Sequence, residues 1–304
     1  MSMVSINILH FNTYEKTRNC ILSCLDQEGI KYRIILIDNN STDDSYKKLQ
    51  EEFQDKIDYL HNQDNYGYAK GNNLGIEYCK KKGVKYSFIL NSDITLVGKD
   101  LLNKLIQIIS KDSTYGIVAP QIYNVTKNGL VLNPNDSSYL KLLRLFRILP
   151  ANHKISPELC TVSEAQGSAL LVDNDLFLSV GGFPEHFFMY GEESYLAKKI
   201  LWSGRKIVWY KDEERFVLHH HDKSGKVDNW RIYLMGRNRA FEYYENKNRA
   251  PKRWFLIFEL FKLFFANGSN MNSYKQGIKE AKKLIKNRAT AEQIFIDGKK
   301  AREH

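Results

Sequence analysis

Cysteine, proline and long apolar runs are all scarce in this chain, and each scarcity excludes something. Four cysteines occur in 304 residues, with no CxxC pair and no Cys/His cluster at zinc-ligand spacing. That excludes a disulfide scaffold and a small zinc fold. Cys20 and Cys24 stand one helical turn apart among Ile21, Leu22 and Leu25, and read as core residues. Six thinly spread prolines leave no Pro-rich spacer. No stretch reaches the roughly 18 apolar residues that cross a bilayer. Residues 254–266 come closest, but Glu259 and Lys262 interrupt them. Residues 4–9 are too short for a secretory signal and follow no basic segment, so the chain reads as cytoplasmic. The first apolar run is followed by no G-x-G-x-x-G, which disfavours a dinucleotide-binding fold.

The remaining composition is that of an average globular protein, 43% hydrophobic and 26% charged. Aromatics at 12% supply area for a core or a ligand cleft. The net charge of +10 is unevenly placed. Residues 1–221 carry 26 basic and 26 acidic side chains, whereas residues 222–304 carry 19 and 9. A neutral body of residues 1–221 with a basic region at 222–304 suggests that the latter meets an anionic surface.

Apolar runs at 4–11, 32–37, 58–61 and 86–90 read as strands, and periodic segments at 14–27 and 72–82 as helices. A further helix starts near Ser41 or Thr42, either of which can cap it. Strand and helix thus alternate four times in about 110 residues, the pattern of a parallel sheet with right-handed crossovers. Such sheets bind ligands outside the carboxyl ends of their strands, where His10–Asn12, Asp38–Asp44 and Asn91–Asp93 fall. Further on, 116–120, 161–172, 206–209 and 215–219 read as strands, 124–156 as a hairpin or variable loop, and 192–202 as a helix. From Asp228 onward the pattern is helical, over 230–245, 252–266 and 273–288.

Five clusters could carry chemistry. Asp38, at a strand end, can accept hydrogen bonds from a nucleobase or a ribose; a capped turn explains Ser41, Thr42 and Asp43 but leaves Asp38 idle. Asn65-Tyr66-Gly67-Tyr68-Ala69-Lys70-Gly71-Asn72-Asn73 has glycines four apart around a lysine, which suits close approach to a phosphate, although the spacing is not that of a Walker loop and a plain loop explains it as well. Asn91-Ser92-Asp93 places a carboxylate where it could hold a Mg²⁺ or Mn²⁺ ion, or cap the next segment. Glu192 and Glu193 open a helix after an aromatic run, where one acid could act as a general base or both could simply favour the helix dipole. In His219-His220-His221, strand alternation allows at most two side chains to share a site.

Together and in this order the clusters are far more specific than any one alone. The chain resembles the family 2 inverting glycosyltransferases, and within them the bacterial rhamnosyltransferase-like and galactofuranosyltransferase-like branch. The resemblance runs from about Val4 to Arg239. It rests on Asp38–Ser41, Asn65–Gly75, Leu90–Asp93, Gln166–Leu171, Gly181-Gly182-Phe183, Phe187–Glu193, and His219 with Arg237-Asn238-Arg239.

The resemblance implies an α/β chain of GT-A fold: a Rossmann-like, mostly parallel sheet flanked by helices, with a C-terminal helical arm. A nucleotide-sugar half over about 1–120 would join an acceptor half over about 121–221. The nucleotide-sugar would be held by Asp38, Asn40, Asn65, Gly67, Lys70, Asn72, Asn91 and Ser92. Asp93 would be the last acid of the family's metal motif, holding a divalent cation (Mn²⁺ or Mg²⁺), with His219 as a further ligand or a diphosphate contact. Glu193 would be the general base, where the family more often has Asp, with Glu192 as the alternative. Asn91 stands where many members have Asp, which leaves a single carboxylate for the metal. By branch the donor would be dTDP-rhamnose, then a UDP-sugar, and the acceptor a saccharide or lipid-linked saccharide of bacterial cell-surface polysaccharide. Two other readings stay open: a non-catalytic nucleotide-sugar-binding relative and, with less support, a nucleic-acid-binding protein, although the basic region has no recognisable nucleic-acid motif. The aromatic segment 254–266 and the lysines after it together suggest peripheral attachment to the inner face of a membrane.

Overall fold

Strand β1 (Val4–His10) alternates Val4, Ile6 and Ile8 on one face with Ser5, Asn7 and Leu9 on the other, and this alternation sorts the layers of the whole molecule. The computed structural model describes residues 4–133, 152–220, 228–246 and 268–301. Strands β2 (Tyr32–Asp38), β3 (Asp58–His61) and β4 (Tyr86–Asn91) run parallel with β1 in the spatial order β3-β2-β1-β4. Val4, Ile6 and Ile8 join Ile34, Leu36, Phe88 and Leu90 in one apolar layer. Above it pack helices α1 (Tyr14–Leu25), α2 (Ser45–Phe53) and α4 (Leu101–Lys111), through Cys20, Ile21, Cys24, Leu49 and Leu105 among others.

Helix α3 (Gly67–Lys81) covers the opposite face. Ser5 and Asn7 meet its Cys79, with Ser5 Oγ 2.9 Å from Ser87 Oγ across the strand pair. A Cβ on Gly75 would strike Ile37, and one on Gly71 would lie 2.8 Å from Leu9, so α3 lies unusually close to the sheet.

The other half of the sheet is mixed. Strand β10 (Ala169–Asp173) runs antiparallel between β4 and β6 (Tyr115–Pro120); β11 (Lys206–Tyr210) is parallel to β6, and β9 (Leu159–Val162) closes the edge antiparallel to β11. Helices α5 (Asn174–Ser179) and α6 (Glu192–Trp202) pack here, on a second cluster holding Ile89, Ile117, Leu170, Phe177, Phe183 and Leu196. A smaller sheet, ordered β5 (Ile94–Val97), β12 (Phe216–His219), β7 (Ile122–Thr126) and β8 (Gly129–Asn133), branches off after β4.

The C-terminal helices α7 (Asn229–Asn246), α8 (Gly268–Lys286) and α9 (Ala291–Lys300) dock on the body. Phe187 and Tyr195 share a cluster with Phe241, Ala281 and Ile294. Gly236 faces Tyr274 and Gly277 faces Tyr233, each with no room for a side chain, so α7 and α8 cross closely.

Several boundaries differ from expectation. The fourth-strand reading and helix 192–202 hold, but α3 starts at Gly67 rather than at residue 72, because Gly67 at φ +66° lets the chain turn into the helix five residues early. Neither Ser41 nor Thr42 caps α2: it starts at Ser45, whose backbone N–H donates to Asp43 at 3.0 Å, while Ser41 turns back to Asp38. The expected strand 161–172 is two strands in different parts of the sheet, since polar Ser163–Ser168 carries the chain from the edge to the centre. Cys20 and Cys24 lie in the core as expected, with Thr17 and Ile21 beside them on the inward face of α1, whereas the neighbouring Leu22 and Leu25 are 41% and 37% exposed. Helix α9 was not anticipated; its capping box of Thr290 and Gln293 is the signal. Segment 254–266 lies outside the described residues. Among the described residues no helix is long and apolar enough to cross a membrane.

Gly67 yields a direct test. Alanine there would force a left-handed backbone and drive Cβ into the Phe188 carbonyl. Gly67→Ala should cost at least about 1–3 kcal/mol, read in urea as a lower midpoint with an unchanged slope; an unchanged midpoint would contradict this packing.

Candidate active site

The register of β1 with its neighbours sets His10 opposite Asp38 and Leu9 opposite Asn91, so three strands end at one level. Asp38, the last residue of β2, is 1% exposed. Its carboxylate accepts hydrogen bonds from Ser41 Oγ (2.6 Å), from the Ser41 amide (3.2 Å) and from His61 Nδ1 (2.8 Å). Asp38 is therefore not idle in the turn reading: it organises the turn, at whose apex Asn40 adopts φ +62°. Asn12, at φ +52°, ties the β1 loop to this turn by accepting from the Thr42 amide at 2.8 Å.

Asn39 carries the next connection. Its amide donates to Asn65 Oδ1 (2.9 Å) and to the Gly67 carbonyl (3.1 Å), while its oxygen accepts from Asn62 (3.1 Å) and the Tyr66 amide (3.2 Å). The loop before α3 is thus pinned to the end of β2. Protein acceptors already take the first amides of α3: Gly67 N–H donates to Asn65 Oδ1 at 3.0 Å and Tyr68 N–H to the Phe188 carbonyl at 3.0 Å. The phosphate cradle expected of this loop therefore cannot use those two amides. Lys70, half-buried, lies over the Tyr66 ring with Nζ 4.3 Å from its centroid. Asn72 donates to the Tyr68 carbonyl at 2.9 Å, and its buried Oδ1 has no hydrogen-bond partner among the described residues.

At the end of β4 the Asn91 amide donates to the Ser168 carbonyl (3.1 Å), and Ser92 Oγ lies 3.2 Å from Thr13 Oγ1. That contact starts a buried polar chain through Thr17 and His10 to Ser45. Burial holds the His10 imidazole below its ordinary pKa, and hence neutral. Asp93 occupies the turn into β5. Because β12 pairs antiparallel with β5, His219 lies opposite Ile94 and its Nε2 comes within 3.2 Å of Asp93 Oδ1. His220 points elsewhere, its ring near Thr95, and His221 lies outside the described residues. Of the two described histidines of the run, His219 alone brings its ring to the Asp93 carboxylate, while the His220 backbone N–H donates to the Asp93 carbonyl at 2.9 Å.

Asp93 and His219 place one carboxylate and one imidazole on one spot, and among the described residues no three His, Cys, Asp or Glu side chains form a cage. Magnesium-like ions are commonly held by one or two carboxylates completed by substrate phosphates. The donor set fits an ion shared with a diphosphate and does not fit an ion bound by protein alone.

The acids of α6 stand on the other side. Tyr190 at φ +70° and Gly191 at φ +90° turn the chain into the helix, and Glu192 and Glu193 form its first turn. Glu192 is buried, with Oε2 lacking a hydrogen-bond partner among the described residues, and burial pushes its carboxyl well up, with Glu193 adding to the shift. Glu193 is half-buried; burial raises it too, opposed by backbone N–H groups and by Arg239 and Arg231. Tyr68 donates its hydroxyl to the Gly167 carbonyl, and a Cβ on Gly167 would lie 3.6 Å from Glu193 Cβ. Segment 167–168 thus joins the two sides, since Ser168 also holds Asn91.

One acid here was missed from the sequence. Glu164 is pushed up to about 7 from 4.5 by burial and then by Glu193, with Lys198 and Arg239 opposing. Its signal was its isolation, as the sole acid between residues 159 and 172.

A mixed sheet whose parallel half ends in polar turns, with an acidic helix start opposite, is the GT-A architecture. Among solved structures, GalNAc-T7 with UDP, GalNAc and Mn²⁺ matches at a TM-score of 0.60 and 17% identity, over 94% of this chain and 58% of that one. S. aureus TarS 1–349 in complex with UDP-GlcNAc matches at 0.57 and 15% identity, over 80% of this chain and 66% of that one. The family model described as glycosyl transferase family 2 matches residues 5–162, just over half of the 304 residues. The chain belongs to that family. A curated relative, the low-salt glycan biosynthesis hexosyltransferase Agl10 of Haloferax volcanii, is 28% identical over 195 residues, covering 62% of this chain and 59% of the relative's length.

Glu164 carries a stability prediction. Its folded pKa of about 7 exceeds the unfolded 4.5, so its contribution is fully present below pH 4.5 and is lost as pH rises through 7. Glu164→Gln should flatten the fall of urea stability across that window; an identical pH profile in both proteins would show that the carboxyl is not perturbed.

Proposed function

We propose that this protein transfers a hexosyl group from a nucleoside diphosphate sugar to a hydroxyl of a saccharide or lipid-linked saccharide, inverting the anomeric centre. The observation that carries the reading is the joining of Asp93–His219 and Glu193 across one short segment, 167–168, at the carboxyl edge of a parallel sheet. A pyrimidine nucleotide, UDP or dTDP, fits both the family branch and the UDP-bound structural neighbours. The base and ribose would lie against the Asp38–Asn40 turn and the Asn65–Lys70 loop, with the diphosphate reaching towards Asn91, Ser92 and Asp93.

In the reaction the acceptor oxygen bonds to the anomeric carbon while the bond from that carbon to the diphosphate oxygen breaks. The leaving diphosphate keeps the electron pair, and Glu193 takes the acceptor's proton. Glu193 suits this role better than Glu192, because it is half-exposed where Glu192 is buried. A divalent cation held by Asp93 and His219, when bound, would supply electrostatic stabilisation of the leaving charge. Arg239 and Arg231 keep Glu193 from rising as far as burial alone would drive it. Tyr190 and Trp230, their rings 5.5 Å apart and tilted by 46°, offer an aromatic wall beside this acid for an acceptor sugar ring.

The basic surface has a place in the same reading. Helix α8 buries Tyr274, Gly277 and Ala281 and exposes Lys275, Lys279, Lys282, Lys283 and Lys286, with Arg288 just beyond it. Such a face suits the anionic headgroups around a lipid-linked acceptor.

Asp93→Ala should abolish metal-dependent transfer with little loss of stability, since Asp93 lies in a turn; retention of most activity would remove Asp93 from the site. Glu193→Gln should lower kcat by about 10²-fold or more, with donor affinity kept, and Glu192→Gln should act more weakly. The reverse order would make Glu192 the base. In the parent protein the acidic limb of kcat should lie above the ordinary carboxylate range, because the Glu193 pKa is raised and the base works only when deprotonated. Co-sedimentation with anionic vesicles should weaken as salt rises; equal partition onto neutral vesicles would discard the membrane role of α8.

A further inference from the structure

Helix α9 is the last described element, far from the family motifs in sequence, yet it touches both loops that build the site. On one side Lys299 Nζ pairs with both carboxylate oxygens of Asp64, at 2.7 and 2.8 Å. Asp64 Oδ1 accepts from the Asn65 amide at 2.7 Å, and Asn65 holds Gly67 and Asn39. A lysine 235 residues away in sequence therefore fixes the first residue of the donor loop.

On the other side the link runs through a buried cation. Arg237 is fully buried; its Nε donates to Asp297 of α9 at 2.7 Å, its Nη2 to the Ile294 carbonyl, and its Nη1 to Asn238 Oδ1 at 2.9 Å. Oriented in this way, Asn238 donates to the carbonyls of Met189 and Tyr190, both at 2.8 Å. Tyr190 is the non-glycine residue at positive φ immediately before Gly191 and the two glutamates. Such a conformation persists only where its surroundings over-determine it, and Asn238 supplies that constraint. Between the two links, Phe295 packs edge-on against Phe188 at 5.8 Å, and Phe188 receives the Tyr68 amide.

We propose that α9 is a clamp: Lys299 and Asp297 are positioning residues that hold the donor loop and the base-bearing loop in a common register. The kinetic part of this proposal rests on the glycosyl-transfer reading, and the structural part does not. Lys299 is half-buried at the edge of α9 and its loss should leave the fold intact, whereas Asp297→Asn keeps an acceptor for Arg237.

The test uses the full chain and hydrogen exchange. Lys299→Ala should speed amide exchange in residues 64–70 and leave residues 188–193 close to the parent. Asp297→Asn should speed residues 188–193. If the parent shows transfer, Lys299→Ala should raise the donor KM about threefold with kcat within about twofold, and Lys299→Arg, which keeps a cation for Asp64 and leaves the Asp64–Asn65 hydrogen bond in place, should stay close to the parent in both exchange and KM. A parent without turnover would count against the transfer reading alone, because the exchange results would still decide the clamp. Parent-like exchange of both segments in Lys299→Ala and Asp297→Asn would overturn it, as would a Lys299→Arg variant no closer to the parent than Lys299→Ala.

Discussion

The site depends on the register of three parallel strands. Because β1 pairs residue for residue with β2 and β4, His10, Asp38 and Asn91 finish at one edge, and the chain must leave the sheet there in three consecutive turns. Backbone groups in those turns have no ladder to satisfy them. Short polar side chains do so instead: Asp38 for Ser41, Asn12 for Thr42, Asn39 for Tyr66 and, through Asn65, Gly67. The polar residues to which the proposal assigns nucleotide binding are the same ones that make the edge foldable.

A second constraint is the burial of charge. A guanidinium taken fully out of water is tolerable only when its donors are met, and Arg237 meets Asp297, a backbone carbonyl and Asn238. Carboxylates Glu164, Glu192 and Glu193 lie near one another, and burial raises all three. Clustered acids with raised pKa values suit proton acceptance near neutral pH far better than metal binding, and the proposed cation site, Asp93 with His219, is on a separate strand pair.

The first half of the fold was legible because its signals are local. The alternation in β1 and the helical spacing of Cys20, Ile21 and Cys24 each identify their element without reference to the rest. The start of α3 was not legible, since Gly67 looks like a loop residue until Phe188, 121 positions away, is packed against it. The polar segment Ser163–Ser168 marks a break within 159–173, but only the long-range partners β11 and β4 assign β9 and β10 to different parts of the sheet. Within the site, Asp93 and His219 were legible as a pair only through resemblance, because their approach depends on β5 and β12 being neighbours. Glu164 and α9 were missed because neither belongs to a motif, and both matter through contacts with residues far along the chain.

The most direct test of the central claim is calorimetric titration of UDP and dTDP into the protein, with and without Mn²⁺, alongside Asp93→Ala. Binding of at least one nucleotide that needs Mn²⁺ in the parent and is lost in Asp93→Ala is the predicted result. No binding of either nucleotide with Mn²⁺ present, or binding indifferent to both Mn²⁺ and Asp93, would contradict it.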